Sequence, residues 1–377
     1  MVPEGWEERP LDDSAKRRSG HTPNRKIPDY WNGGIKWVSL ADSSALDDGY
    51  IRNTDKEISA EGLQNSSAVM LPAETVILSR DAGVGKSAVL GEDMAVSQHF
   101  IAWTCDEQSK LNNWFLYNWL QMKKPLFERM AVGSTIKTIG LPFFKKLRIN
   151  VPPLPEQRKI ADILSTWDQA IEKTEALLSN ARTQKRALMQ QLLTGKRRFP
   201  AFEGQPWKEV RLGDVLELSY GKSPKEVFKD NGKYPVIGTG GETGRTDTAM
   251  ADGPVIVIGR KGTIDAPQWV DGKFWCIDTT YFCTTNDEHD LRWLFAWLRS
   301  INLRIYNEAS GVPSLSRETL RAIKLMVPSK LEQSQIADVF VGIDIEIKTI
   351  ADQITKLRSE KKALMQQLLT GKRRVVV

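Results

Sequence analysis

The sequence predicts a mixed α+β protein that is an internal repeat of two globular α/β domains and two long, antiparallel coiled-coil helices. Three observations support this: a segment that recurs after 176 residues, an apolar heptad pattern in both copies, and short buried strands followed by glycine-rich turns. The predicted order is a globular domain at 1–150, a long helix at 151–199, a second globular domain at 200–326 and a second long helix at 327–377. An approximate two-fold axis should relate the two halves.

The repeat is strongest at the end of each half. The run KRALMQQLLTGKRR at 185–198 returns as KKALMQQLLTGKRR at 361–374, and roughly half of all positions from 151 to 198 are identical to those 176 residues later. A weaker echo opens each half, where Trp6 and Trp207 correspond. We therefore expect the long segments to do one job twice, and the globular domains to do related but different jobs.

Both long segments carry apolar residues at alternating spacings of four and three, beginning at Ile160 and Ile336 and lasting nearly five heptads. This pattern is typical of a coiled-coil seam, and it predicts two helices of about 39 residues each. Glycines that follow the helices should act as left-handed C-caps. Lys185 and Lys361 interrupt the seam at equivalent positions. We favour a role in setting the helix register or a snorkelling stem for these lysines. A partner carboxylate is the alternative.

Further apolar residues widen the seam, which leaves two interpretations open. They could dock helices of partner proteins, or they could pack on the flanking globular domains. The candidate partner-binding residues are Ile163, Leu177, Met189, Leu193, Val339, Met365 and Leu369.

The globular domains should each contain a buried strand, at 76–78 and 255–258, and an aromatic-rich helix, at 111–120 and 291–298. The tryptophans of these helices recur at helical spacing. Packing in the core is therefore the favoured interpretation of them, ahead of stacking on bases.

The composition is that of an ordinary globular protein, with 41% hydrophobic and 27% charged residues among 377. It excludes long disorder, collagen and a disulfide-stapled miniprotein. The longest apolar runs fall far short of the ~18 residues that span a bilayer, and the first ten residues lack the apolar core of a secretory signal. Three cysteines and three histidines suggest neither a disulfide framework nor a metal site, so we expect a cytoplasmic protein. The net charge of +6 permits binding to nucleic acid.

Three segments resemble catalytic motifs but do not match them. The run at 82–87 resembles a phosphate-binding loop, yet Arg80 stands where that motif needs its first glycine. Asn150 opens an incomplete Asn-Pro-Pro-aromatic loop, and the glycines at 238–241 lack a dinucleotide-binding context. No nucleophile, base and acid recur together in both halves. We therefore predict a chain with no catalytic residues and no cofactor of its own.

Polar and basic turns follow the buried strands, and polar steps follow these turns along the chain. Arginine and glutamine side chains can hydrogen-bond to base edges, while lysine, serine and threonine can hold phosphates. Ordinary solvated turns are the alternative for any single residue. The candidate DNA-binding residues are Arg80, Lys86, Ser97, Gln98, His99, Lys222, Arg260, Lys261, Thr279 and Thr280. The Lys-Arg runs at 16–18, 196–198 and 372–374 could contact phosphates or cap helices.

Over essentially its whole length the chain resembles the specificity subunit of type I restriction–modification systems. The resemblance rests on Pro-Pro-Leu-Pro-Glu-Gln at 152–157 with its weaker echo, on the doubled Leu-Leu-Thr-Gly-Lys-Arg-Arg, and on the Trp…Leu…Asp…Gly-x-[Thr/Ser]-Pro pattern that opens each half. The second copy has Ser-Lys-Leu at 329–331 where the family favours Pro-Leu-Pro.

The resemblance implies a non-catalytic subunit with two target recognition domains, each of which reads half of a split sequence in double-stranded DNA. It also implies that the helices set the spacer and dock two methyltransferase subunits, and that two motor-nuclease subunits complete the complex. S-adenosylmethionine, ATP and Mg²⁺ would be bound by those partners, and no membrane would be involved. Two other hypotheses remain: a coiled-coil adaptor with protein-binding domains, and a fused methyltransferase, for which the chain is short.

Overall fold

The computed structural model describes residues 2–105 and 110–376, which fold as two compact units. The first unit comprises Met1–Thr174 together with Gln353–Val377, and the second comprises Glu175–Asp352. Both unit boundaries fall inside long helices, so each unit holds one globular domain and parts of both helices. Within the described residues, no helix has both the length and the apolar character that a bilayer span requires.

Among its described residues, the first unit contains ten strands and three short or medium α-helices before the first long one. The strands are β1 (Glu7–Pro10), β2 (Lys16–Ser19), β3 (Trp31–Val38), β4 (Tyr50–Ile51), β5 (Lys56–Ile58), β6 (Val76–Ser79), β7 (Ser87–Leu90), β8 (Ala95–Val96), β9 (Phe100–Thr104) and β10 (Arg148–Val151). The helices are α1 (Ala60–Gln64), α2 (Asn113–Met130), α3 (Leu141–Lys145) and α4 (Leu154–Leu192).

The second unit also contains ten strands, with its short helices at partly different places along the chain. Its strands are β11 (Lys208–Arg211), β12 (Glu217–Tyr220), β13 (Tyr234–Gly238), β14 (Gly241–Thr246), β15 (Ala251–Asp252), β16 (Val255–Gly259), β17 (Gln268–Val270), β18 (Lys273–Cys276), β19 (Thr280–Thr284) and β20 (Lys324–Val327). Its helices are α5 (Leu212–Val215), α6 (Leu291–Ser300), α7 (Arg317–Ala322) and α8 (Lys330–Leu368).

Each unit is organised around two sheets and a two-stranded ribbon. The first unit has the orders β2-β9-β6-β7-β4, β5-β3-β8 and β1-β10, and the second has β12-β19-β16-β17, β14-β13-β18-β15 and β11-β20. The same relation recurs at the centre of both main sheets, because β9 lies between β2 and β6 as β19 lies between β12 and β16. The internal repeat of the sequence is therefore also a repeat of this central three-strand arrangement.

The buried strands and aromatic helices predicted from the sequence are confirmed. Strands β6 and β16 are buried along their whole length. Helix α6 closely matches its predicted range, whereas α2 extends ten residues beyond the predicted end. Trp119, Trp293 and Trp297 are each at most 7% exposed, which is consistent with core packing. Burial of their large apolar rings stabilises each domain core.

Both long helices have the 39 residues that the heptads predict. Every predicted seam position is buried or half-buried in the folded chain. Gly195 and Gly371 take φ angles of 69° and 67°, as the predicted left-handed caps require. The predicted fold class of mixed α/β domains with long paired helices is confirmed.

The two helices run antiparallel within each unit. In the first unit Asp168 of α4 pairs with Lys361 of α8, and Glu156 near the start of α4 pairs with Arg374 beyond the end of α8. The partner number falls as the α4 number rises, which defines an antiparallel pair. In the second unit the same relation joins Lys185 to Asp344 and Arg198 to Glu332.

These contacts show which groups the two seam lysines bind. We favoured a register or snorkelling role, but Lys185 donates to Asp344 and Lys361 donates to Asp168. Both lysine side chains are largely shielded from solvent, at 14% and 16% exposure, so a carboxylate nearby offsets the cost of their desolvation. The alternative of a carboxylate partner is therefore confirmed, and such a partner is compatible with a role in setting the register.

A buried glutamate joins helix starts to helix ends. Glu332 is fully buried and accepts hydrogen bonds from Arg198 at 2.9 and 2.6 Å and from the Trp207 indole at 3.2 Å. Glu156 is 3% exposed and accepts the equivalent bonds from Arg374, at 2.7 and 2.8 Å, and from Trp6, at 3.2 Å. These carboxylates hold the pKa of both arginines above its ordinary value, chiefly by hydrogen bonding. The last arginines of the runs at 196–198 and 372–374 thus have a structural partner that we did not anticipate.

Candidate nucleic-acid interface

The predicted polar turns of the first unit meet at one edge of its main sheet. In the antiparallel order β2-β9-β6, the ends of β2 and β6 lie beside the start of β9. The backbone N–H of Arg80, just after β6, donates to the carbonyl of His99, just before β9, at 2.9 Å. The N–H of His21, which follows β2, donates to the Val96 carbonyl at 3.0 Å. Residues distant in sequence therefore form one polar surface.

The second unit brings the equivalent turns together in the same way. The N–H of Arg260, which follows β16, donates to the carbonyl of Thr279 at 2.8 Å. The N–H of Lys222, which follows β12, donates to the Cys276 carbonyl at 2.8 Å. We call the two surfaces the first and second loop clusters. Each consists of the three turns that follow β2, β6 and β8, or β12, β16 and β18.

A glycine allows the close approach of two of these turns. A Cβ atom added to Gly20 would lie 1.9 Å from the Val96 carbonyl oxygen, and one added to Gly221 would lie 2.0 Å from the Ile277 carbonyl oxygen. No side chain fits in such a space. This contact gives a physical reason for the glycine in the Gly-x-[Thr/Ser]-Pro segment that opens each half.

A fourth loop joins each cluster, and the sequence analysis missed it. In the first unit the loop between α2 and α3 contacts the arginine turn, where the Ile139 N–H donates to the Arg80 carbonyl at 2.9 Å. In the second unit the Leu315 N–H donates to the Arg260 carbonyl, also at 2.9 Å. Both contacts join residues more than fifty positions apart, and the residues at 139 and 315 are apolar, so no local pattern indicated them.

The first loop cluster carries a network of polar side chains. Arg80 Nε donates to the Ile139 carbonyl at 3.0 Å, and Asp81 Oδ2 lies 2.9 Å from His99 Nδ1. The hydroxyl of Thr138 donates to the other oxygen of Asp81. Gln98 is exposed beside these residues and accepts a hydrogen bond from Thr22. The cluster therefore offers both hydrogen-bond donors and acceptors to a ligand.

The second loop cluster is more cationic. The guanidinium groups of Arg260 and Arg317 lie 5.5 and 5.7 Å from the ring centroid of Tyr220, whose ring is 43% exposed. Tyr281 packs against that ring from below, and its hydroxyl donates to the Leu315 carbonyl at 3.2 Å. Burial, the largest of several causes, raises the pKa of Tyr281 to about 12. The exposed ring and two cations suit contact with bases and phosphates.

Two of the predicted DNA-binding residues are buried in the structure, and a third is hydrogen-bonded within the protein. Ser97 and Thr280 are fully buried, so neither side chain can contact DNA in this conformation. Thr280 donates its hydroxyl to the Ile277 carbonyl at 2.7 Å. The ammonium group of Lys86 is half-buried and donates to the Ser43 carbonyl at 2.7 Å. The sequence periodicity did not show that Ser97 and Thr280 face inward at the edge of a strand.

The predicted partner-binding residues of the long helices divide by exposure. Leu193, Met365 and Leu369 are at most 9% exposed and pack in the domain cores, which corrects their assignment to a docking surface. Leu177 is 58% exposed. The half-buried members are Ile163, Met189 and Val339. Packing on the flanking domains therefore accounts for Leu193, Met365 and Leu369, and the half-buried members also contact the edges of these cores.

Comparison with known proteins identifies the type of domain. The description "Type I restriction modification DNA specificity domain" fits residues 3–179 and again 204–358. The chain is 24% identical over 373 residues to the EcoprrI specificity subunit of Escherichia coli, an alignment that covers 93% of this chain and 90% of that protein. It is also 24% identical over 421 residues to the MjaVIII specificity subunit of Methanocaldococcus jannaschii, covering 99% and 94%.

A third relative, the MjaIX specificity subunit of the same archaeon, is 25% identical over 257 residues, and the alignment spans 58% of its length. Among solved structures, the S subunit of the type I system from M. genitalium superposes with a TM-score of 0.63 at 18% identity, covering 98% of both chains. A structure titled for the complex assembly of a type I R-M system gives 0.64 at 17% identity, again covering 98% of both. These likenesses show a shared fold. Because the matched domain occurs twice and covers most of the sequence, the chain belongs to the type I restriction–modification DNA specificity family.

Proposed function

We propose that the chain specifies the target of a type I complex by reading a bipartite DNA sequence, one half with each globular domain. The observation that carries this proposal is the same loop cluster built twice on the same three-strand frame. Of the predicted contacts, Arg80, Gln98, His99, Lys222, Arg260, Lys261 and Thr279 remain at least partly accessible. Such residues offer base-edge and phosphate contacts.

The two halves of the target should differ in sequence. The first loop cluster contains an aspartate and a histidine at 81 and 99, whereas the equivalent residues of the second are Lys261 and Thr279. A cluster with a carboxylate and a ring nitrogen presents acceptors that a lysine-rich cluster lacks. Different donor and acceptor patterns select different bases in the major groove.

The paired helices are proposed to set the unread spacer between the halves. The same two contacts between the helices occur in each unit. One is made by a buried glutamate at a helix start, and the other is a lysine–aspartate pair 12 or 13 residues away along the helices. Such repeated contacts fix the register of the two helices. They would therefore keep the length of the helical pair constant. A fixed length is what a gapped target requires.

Partners would supply the chemistry. We propose that two methyltransferase subunits dock on the helices through exposed and half-exposed apolar residues, including Leu177, Ile163, Met189 and Val339. They would bind S-adenosylmethionine and methylate an adenine in each half, while two motor-nuclease subunits would use ATP and Mg²⁺. The doubled helical segments support two equivalent docking sites. This chain would contribute recognition and no catalytic residue.

The test is a hydroxyl-radical footprint of the full chain, bound with its methyltransferase partner to the selected target duplex. We expect two protected blocks separated by a spacer whose bases can be changed freely but whose length cannot. Binding should weaken steeply with salt, because phosphate contacts release counterions. A single continuous block, or tolerance of any spacer length, would contradict the proposal. Failure to bind any duplex even with the partner present would favour a protein-binding adaptor.

A further inference from the structure

An aspartate and a histidine form a pair in the first loop cluster that the second cluster does not contain. His99 Nδ1 lies 2.9 Å from Asp81 Oδ2, and the Thr138 hydroxyl occupies the other carboxylate oxygen. The Asp81 side chain is 16% exposed, whereas that of His99 is 31% exposed. Asp81 is therefore the more enclosed member of the pair, and His99 is the more accessible one.

The chemistry of the pair decides which nitrogen can face a ligand. An ionised carboxylate only accepts hydrogen bonds, so the nitrogen beside it must carry the proton. In a neutral histidine whose Nδ1 is protonated, Nε2 is an acceptor. The backbone holds both residues in place, because the Arg80 N–H bonds the His99 carbonyl at 2.9 Å and the Ala82 N–H bonds the Lys137 carbonyl at 3.2 Å. The ring can thus present one defined group.

We propose that Asp81 is a positioning residue that fixes the tautomer and orientation of His99, so that Nε2 accepts a hydrogen bond from a base amino group in the first half-site. Adenine N6 and cytosine N4 are the amino donors of the major groove. This inference rests on the proposed function, since it assigns a specificity residue within that recognition surface.

The second loop cluster supplies an internal comparison. Its equivalent positions are Lys261 and Thr279, which cannot form a carboxylate–imidazole pair. Removal of the pair should therefore alter the reading of one half-site only. A general loss of stability or of phosphate contacts would instead weaken binding regardless of the sequence of either half-site.

The test combines one measurement without DNA and one with it. Nitrogen-15 NMR at mildly alkaline pH reports the tautomer of His99, which can be assigned among only three histidines by its loss in His99→Asn. We expect the Nδ1–H tautomer in the parent chain and a mixture in Asp81→Ala. Selection from a randomised duplex library, with the complete methyltransferase complex, then reports the preference at each base pair.

In the selection, Asp81→Ala and His99→Asn should each weaken the preference at one and the same base pair by about tenfold. The double variant should lose no more than His99→Asn alone. Asn at position 99 can still donate to Asp81, so His99→Asn remains informative if Asp81→Ala disturbs folding. Asp12→Ala, which removes another carboxylate of the first unit, one that pairs with Arg17 at 3.2 Å, is the matched control and should leave the base preference unchanged.

Three results would overturn the inference. They are an Nε2–H tautomer in the parent chain, an unchanged base preference in His99→Asn, and an equal loss of affinity for all duplexes, which would indicate a phosphate contact. Absence of any sequence preference in the parent complex would instead reject the proposed function, and this inference with it. The two failures are therefore distinguishable.

Discussion

Arg80 and Arg260 occupy equivalent positions but have different neighbours. Arg80 Nε is tied to the Ile139 carbonyl at 3.0 Å, beside Asp81. The Arg260 guanidinium lies over the exposed ring of Tyr220. One backbone frame thus holds two arginines in different electrostatic surroundings, which is how related domains can recognise different bases.

Replacement of either arginine by alanine should damage one half-site only. We expect Arg80→Ala to lose about 1–3 kcal/mol of discrimination in the first half and Arg260→Ala a similar amount in the second, because each removes a donor fork from one cluster. Competition binding with duplexes altered in one half at a time measures this. Arg148→Ala, on the ribbon strand β10, is the control. Equal losses on specific and random DNA would make both arginines phosphate contacts.

At the scale of secondary-structure elements, contacts at two levels join the long helices within each unit. One anchor is a buried carboxylate shared by an arginine and a tryptophan, and the other is a partly exposed ion pair. The first buries a carboxylate and satisfies it with donors from both side chains. The second leaves Asp344 49% exposed, where solvent screens the attraction.

The two anchors should therefore differ in their contribution to stability. Asp344→Asn should change the free energy of unfolding by at most about 1 kcal/mol. Glu332→Gln should cost distinctly more, because the buried site then lacks the charge that pairs with Arg198. Thermal unfolding of the two variants, with Glu156→Gln and Asp168→Asn as their repeat-related counterparts, tests the order. A larger effect for Asp344→Asn than for Glu332→Gln would contradict this account.

At the scale of the whole molecule, each compact unit contains parts of both long helices. The first unit therefore lacks part of its contacts until the second half of α8 is present, whereas the second unit needs α8 only as far as Asp352. Within each long helix, the segment between the ion-paired aspartate and the ion-paired lysine spans 168–185 in α4 and 344–361 in α8. An insertion inside both segments leaves these two lysine–aspartate pairs in place. These segments are the regions where length can change with the least damage to the anchors.

Insertion of one heptad into both of these segments should lengthen the preferred spacer. Seven residues add about 10 Å of helix at 1.5 Å per residue, equivalent to about three base pairs, and a whole heptad preserves the seam. Selection from duplexes that differ only in spacer length measures the shift. A heptad inserted into α4 alone is the control and should weaken assembly. An unchanged spacer in the double insertion would show that the helices do not set it.

The sequence by itself determined the repeat, the two 39-residue helices, their apolar seam and the buried strands, because these features depend on local periodicity. Only the tertiary structure decided the contacts between distant segments. It turned Ser97 and Thr280 inward, gave Lys86 a backbone partner, and brought the loop between α2 and α3 onto the arginine turn. It also gave the seam lysines and the terminal arginines their carboxylates. Such pairings depend on how sheets and helices pack in space, and a pattern along one chain does not contain that information.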